Sequence, residues 1–289
     1  MKNNGNAESV IKTVEWTLKH LAHHTDLLNP EKVKQYIANA TITNTKTPIA
    51  SATKNKRLFC YDKFCKYNNI IWDKPRYRVE RKTPLIPTPA NVHAIINNSS
   101  RNFATVFTIL AEIGCSPTEL HNTTKKDIDA EKGFISITGT KGHASGNYKF
   151  KAHTAEMLRV YLRTHPQEQP FTAGHNQSQA WNKYRKRASQ KLCKPELLKI
   201  QLRNLRNYSG ERFYKSLPIR DPIAVMRHLR HKKLETTMHY IRAIVLDYEE
   251  DEQFISRTSK TIEEDARLIE NGFQYVTERN GLKLFKKRK

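Results

Sequence analysis

Apolar residues recur at helical spacing over most of this 289-residue chain and alternate only in a few short runs, which dictates a mainly α fold with a small β-sheet. Val10, Val14, Leu18 and Leu21 mark a first helix, and Asn29-Pro30 supplies a cap and first turn for a second. Leu58, Tyr61, Phe64, Cys65 and Asn68 repeat the pattern with Lys54, Lys56, Arg57, Lys63 and Lys66 between them. The spacing predicts a helical domain with a basic surface over 1–72. The stretch IIWDKPRYRVERKTPLIPTP then holds four prolines and five Lys or Arg residues, which break any long period. A basic, proline-rich linker is placed at 73–88.

A second domain is placed at 89–260. Val92, Ile95 and Ile96, then Phe103, Val106, Phe107, Leu110 and Ile113, predict helices that end at Gly114. The period changes at Phe134 to Thr138, which alternate as a strand. Gly139 to Gly146 provide a turn, and Asn147 to Lys151 return as the partner strand. Helical spacing resumes through Met157, Leu158, Tyr161 and Leu162 and again through Trp181, Tyr184 and Ala188, and Asp221-Pro222 caps a later helix. In the tail, 261–289, Thr261 and Glu264 form a capping box, and Asn280-Gly281 joins two strands.

Lys and Arg number 51 against 28 Asp and Glu, a formal net charge of +23. Such a surface calls for a polyanion, and double-stranded DNA is the first candidate, because each phosphate neutralised releases condensed counterions. Lys54, Arg57, Lys183, Arg185, Lys186 and Arg230 are the expected phosphate contacts. No run approaches the roughly 20 apolar residues of a membrane helix, and MKNNGNAESV lacks the apolar core of a signal peptide. A cytoplasmic, nucleoid-associated protein is expected. Cys60, Cys65, Cys115 and Cys193 fall at no C-x-x-C spacing, so neither a disulfide nor a metal site is expected. His228, His231 and His239 lie close in sequence, but no carboxylate or thiolate joins them, and Arg227 and Arg230 would repel a cation.

Breaking a phosphodiester by transesterification requires a hydroxyl nucleophile, cations for the charge on the phosphoryl oxygens and an acid for the departing 5′ oxygen. Residues of these types stand in order along the second domain: Glu119, Lys141, Arg203, Arg206, His231 and Tyr240. The run LRHKKLETTMHY, together with Gly114 to Leu120 and the Thr-Gly-Thr-Lys-Gly turn, resembles the tyrosine recombinases, or phage integrase family, over residues 85–245. Archaeal and mobile-element integrases are the branch it resembles most, on the exchange of a histidine for Arg203.

That resemblance implies a C-shaped clamp in which a core-binding domain and a catalytic domain close on DNA. Tyr240 would attack the scissile phosphate and form a 3′-phosphotyrosyl link, with no cofactor, for integration, excision or resolution by a homotetramer on paired sites. Arg206 and His231 would hold the phosphate, Lys141 would be the general acid, and Arg203 would keep a cation where the family has histidine. Two departures stand out. Arg230 replaces the glycine of the leucine-glycine-histidine signature, and Ser116 replaces the first catalytic arginine, with Glu119 supporting that segment. Either a neighbouring cation such as Arg203, Arg230, Lys125 or Lys126 substitutes for the lost guanidinium, or the chain binds DNA without exchanging strands. A monomeric type IB topoisomerase would use the same chemistry.

Overall fold

The computed structural model describes residues 8–80, 83–140, 143–245, 254–279 and 281–288. The chain divides into two compact units, Met1–Lys82 and Thr83–Lys289. In the first unit, α1 (Glu8–His24), α2 (Pro30–Asn39) and α3 (Ser51–Tyr67) enclose Leu21, Val33, Ile37, Leu58, Tyr61 and Cys65. The Asn29 side chain accepts from Lys32 N at 3.2 Å, satisfying one of the free amides that open α2. Trp72 and Tyr77 pack on the first core, and Asn55 brackets the Tyr77 backbone with hydrogen bonds of 2.7 and 3.0 Å. Further on, the Leu85 carbonyl accepts from Asn204 and Asn207.

The second unit opens with α4 (Pro89–Asn97), capped by Thr88, and α5 (Arg101–Ile113). Gly114 ends α5 in the left-handed region at φ 64°. A short α6 (Pro117–His121) follows. The three-stranded antiparallel sheet runs β1 (Ile128–Asp129), β2 (Phe134–Ile137) and β3 (Gly146–Lys149) in that order. Ile135 and Ile137 face the core while Phe134 and Ser136 face outward, the alternation read from the sequence. Next come α7 (Ala152–Thr164) and α8 (Gly174–Leu192), then α9 (Asn204–Ser216). Trp181 is fully buried, edge-on to Phe107, and its indole N–H donates to the Ile200 carbonyl at 2.9 Å.

α10 (Pro222–His228), capped by Asp221, and α11 (Leu234–Val245) pack against α9 around Tyr214, Val225, Leu229, Ile241 and Ile244. The tail holds β4 (Phe254–Ser259), α12 (Ile262–Glu270), β5 (Gln274–Arg279) and β6 (Leu282–Arg288). Thr261 caps α12, and the β5–β6 hairpin is present, but its sheet has a third strand, β4, paired with β6. The tail sheet therefore begins at 254, ahead of the expected boundary at 261. The acidic run from 247 to 252 lies outside the described residues. Among the described residues, no helix is long and apolar enough to cross a membrane.

Gly114 is where three helices meet. A Cβ built there would approach Leu229 Cδ2 to 2.9 Å and Ser209 Oγ to 3.0 Å, on a backbone already left-handed. Gly114→Ala is expected to lower unfolding stability by about 1–3 kcal/mol, read from urea denaturation midpoints.

Candidate active site

The side chains selected from the sequence arrive from separate elements. Arg206 comes from the first turn of α9, His231 from the bend after α10, Tyr240 from α11 and Glu119 from α6. Arg206 is half-buried. Its Nη1 donates to the Gly114 carbonyl at 2.7 Å, and its Nη2 donates to the Leu229 carbonyl. Burial and then the neighbouring charge of Arg230 press its pKa below the ordinary value, though a guanidinium stays charged.

His231 is only 7% exposed. Its Nδ1 lies 2.9 Å from the hydroxyl of buried Thr237, and its ring stacks on Tyr240 with centroids 5.5 Å apart. Burial, reinforced by Arg206, His143 and Arg230, pulls its pKa down to about 4. The imidazole is therefore neutral at physiological pH. If Thr237 O–H donates to Nδ1, Nε2–H is left as a donor beside the Tyr240 ring.

Glu119 is fully buried and accepts from four directions. Oε2 takes the Ser116 amide at 2.7 Å and Arg230 Nη2 at 2.9 Å, while Oε1 takes His143 Nδ1 at 2.6 Å and the Thr140 amide at 3.3 Å. Burial would raise its pKa, but the bonds from Ser116 and His143 and the charge of Arg230 outweigh this and hold it down to about 2. Ser116 completes a capping box, its hydroxyl accepting from the Glu119 amide at 3.2 Å. A serine so placed contributes a cap and no charge.

Arg230 is not a surface phosphate contact. It is 1% exposed, its Nη1 donates to Tyr148 Oη at 2.5 Å, and its guanidinium lies over the Tyr148 ring at 5.3 Å. Its backbone is left-handed at φ 56°, a conformation that costs a non-glycine residue on the order of 1–3 kcal/mol.

The remaining expected residues fall into distinct groups. Arg203 is exposed as the N-cap of α9; its carbonyl accepts from the Arg206 amide at 3.2 Å, but the Arg206 guanidinium is held by Gly114 and Leu229. Lys141 lies outside the described residues. Lys125 donates to the Pro166 carbonyl, away from this cluster, and Lys126 is exposed. Lys54 and Arg185 bond carbonyls of their own units, Ala38 and Ile200, so their charges are partly engaged. Lys183 and Lys186 are exposed on α8, and Arg57 lines a groove with Lys12, Trp16 and Lys56. Among the described residues, no three His, Cys, Asp or Glu side chains are gathered to hold a metal.

No protein-family model and no curated protein matches the chain. Solved structures do match. The Tn1549 transposon integrase in complex with transposon right end DNA aligns over 93% of this chain and 96% of its own, with a TM-score of 0.60 at 13% identity. A lambda integrase dimer bound to a COC′ core site aligns over 82% and 89%, with a TM-score of 0.64 at 12% identity. Lambda integrase as a tetramer bound to a Holliday junction aligns over 82% and 72%, again at a TM-score of 0.64 and 12% identity. The fold is that of the tyrosine recombinases.

In this tyrosine recombinase fold, four side chains support the cluster that sequence reasoning did not single out as site residues: His143, Tyr148, His228 and Thr237. His143 lies in the glycine-rich turn and bonds a carboxylate 24 positions away, a pairing that no local spacing signals. Tyr148 Oη donates to the His228 carbonyl at 2.7 Å. His228 stacks on Phe213 and sits 2.8 Å from Ser209 Oγ, and burial followed by Arg230 and Arg206 lowers its pKa to about 4.

Removing the charge of Glu119 leaves Arg230 buried without a counterion. Glu119→Gln is expected to cost about 3–5 kcal/mol in chemical denaturation. His228 and His231 titrate near 4 when folded, against an ordinary 6.5, so the unfolded state binds more protons across that interval. Stability is accordingly full above pH 6.5 and is lost as pH falls toward 4. Unfolding midpoints measured across this window are expected to fall with acidification, and His228→Gln to flatten that fall.

Proposed function

We propose that this chain is a site-specific DNA recombinase that cleaves and rejoins strands through a covalent bond to Tyr240, for integration, excision or resolution of a mobile element. The observation that carries the reading is the packing of Tyr240 against a neutral, buried His231 in a cluster that contains Arg206, whose guanidinium two backbone carbonyls hold fixed. Tyr240 Oη would attack phosphorus, forming the phosphotyrosyl ester as the bond to the 5′ oxygen breaks. The phenolic proton passes to solvent water and the 5′ oxygen gains one. Lys141, by its place in the sequence run Thr-Gly-Thr-Lys-Gly, is the donor proposed for that second proton. Arg206 and His231 Nε2–H would bind the non-bridging oxygens, where charge develops. The released energy stays in the ester, so rejoining is the same step in reverse and needs no nucleotide or metal.

The DNA-bound state of the structures that share this fold supports duplex DNA as the partner, as does the net charge of +23. Four protomers on paired sites are proposed as the working assembly, following the lambda integrase tetramer. The phosphate contacts proposed for the surface are Lys183, Lys186 and Arg57, with Lys54 and Arg185 held partly by their own units. Ser116 supports a second reading, a DNA-binding protein without strand cleavage.

The two readings separate on a nicked suicide duplex carrying a sequence that the protein itself selects from a randomised pool. Denaturing electrophoresis is expected to show a covalent adduct with the native chain and none with Tyr240→Phe, although the variant still retards the duplex. Retardation without an adduct from the native chain would leave DNA binding alone.

A further inference from the structure

The cluster holds one guanidinium too many for a site whose first arginine is missing, and its position accounts for the excess. Ser116 N and Arg230 Nη2 donate to the same oxygen of Glu119, at 2.7 and 2.9 Å. The guanidinium carried by residue 230 therefore lies beside residue 116, where the serine stands. It is fixed on its other branch by Tyr148 Oη. Gly146 leaves room for it, since a Cβ there would approach Arg230 Cδ to 3.3 Å.

The chain on either side of Arg230 belongs to the site as well. The carbonyl of Leu229 accepts from Arg206, and the next residue is His231, stacked on Tyr240. The Arg230 carbonyl accepts from the Ala144 amide at 3.1 Å, tying the turn that carries His143 to the same bend. A buried arginine in a left-handed conformation that glycine would adopt freely is a costly residue to keep here for packing alone.

Resting on the recombinase reading, we infer that Arg230 is the relocated guanidinium of this site, delivered from the bend after α10 to the side of residue 116. It is a positioning residue. With 1% exposure it does not reach a phosphate itself. It holds Glu119 and Tyr148, and through its own backbone the carbonyl that orients Arg206, while its charge balances that of Glu119. Positions 116 and 230 then form one functional pair, in which Glu119 accepts one guanidinium and not two.

The inference makes a signed claim about double variants, read as rates of adduct formation on the suicide duplex. Arg230→Gly suits the backbone, removes the charge and frees the groups it positions, and is expected to slow the adduct on the order of a hundredfold through their misplacement. Arg230→Lys recovers part of that loss. Ser116→Arg in the native background brings a second cation to an occupied carboxylate and gives no acceleration relative to Ser116→Ala, which loses the cap alone. Ser116→Arg combined with Arg230→Gly restores most of the rate. Independent effects would overturn the inference: Ser116→Arg accelerating equally with and without Arg230, or Arg230→Gly leaving the rate unchanged while its melting temperature matches the native chain.

A second readout does not need cleavage. In the Tyr240→Phe background, the preference for the selected duplex over one with a methylphosphonate at the scissile position is expected to fall by on the order of tenfold with Arg230→Gly and to return in the double variant. An unchanged preference would sink the inference. An absent adduct from the native chain would instead sink the recombinase reading, and this binding series would still decide the role of Arg230.

Discussion

A carboxylate with no solvent exposure needs a counter-charge, and Glu119 finds one in Arg230, 111 residues away in the chain. Most of the site is arranged around that pair. The ion pair joins α6 to the bend after α10, and the other Glu119 oxygen joins α6 to the turn that leads to β3. Neither group could be buried alone, because the desolvation of an isolated charge is far larger than any local packing gain. Cooperation among several bonds to one acceptor is what lets two ionised groups remain in the interior. Burial, with the charges of Arg230 and Arg206 on His228 and of Arg206, His143 and Arg230 on His231, keeps both rings neutral, so their donor and acceptor roles are set by the fold rather than by ambient pH.

What the sequence disclosed and what it hid follow the range of the interactions involved. Helix starts were legible wherever a side chain within three residues satisfies an open amide, as at Asn29, Asp221 and Thr261. The strand at Phe134 showed in its alternation, and the glycine that closes α5 in its isolation after an apolar run. Tyr240, His231 and Arg206 stood out because their order and spacing resemble a family. β4 was not legible, since its pairing with β6 depends on residues nearly thirty positions later.

Arg230 was expected on the surface for a physical reason, although it also stood among the cations that could replace the missing guanidinium. A lone arginine in a basic run ordinarily sits in solvent. Its burial depends on an acid, an aromatic ring and a glycine that are all remote in sequence. His143 and Tyr148 escaped notice on the same ground, as polar residues near a turn with no local partner. Lys54 and Arg185 show the converse, since their position on basic helix faces gave no sign that carbonyls of their own units would engage them.

The two carbonyls that hold Arg206 belong to the main chain at Gly114 and Leu229. A backbone acceptor stays in place whatever side chain its residue carries, so the aim of this arginine is insulated from substitution at those positions so long as the local backbone path survives. A site built in this way can drift. Its side-chain partners can be exchanged while the orientation of Arg206 is kept by the backbone path at Gly114 and Leu229.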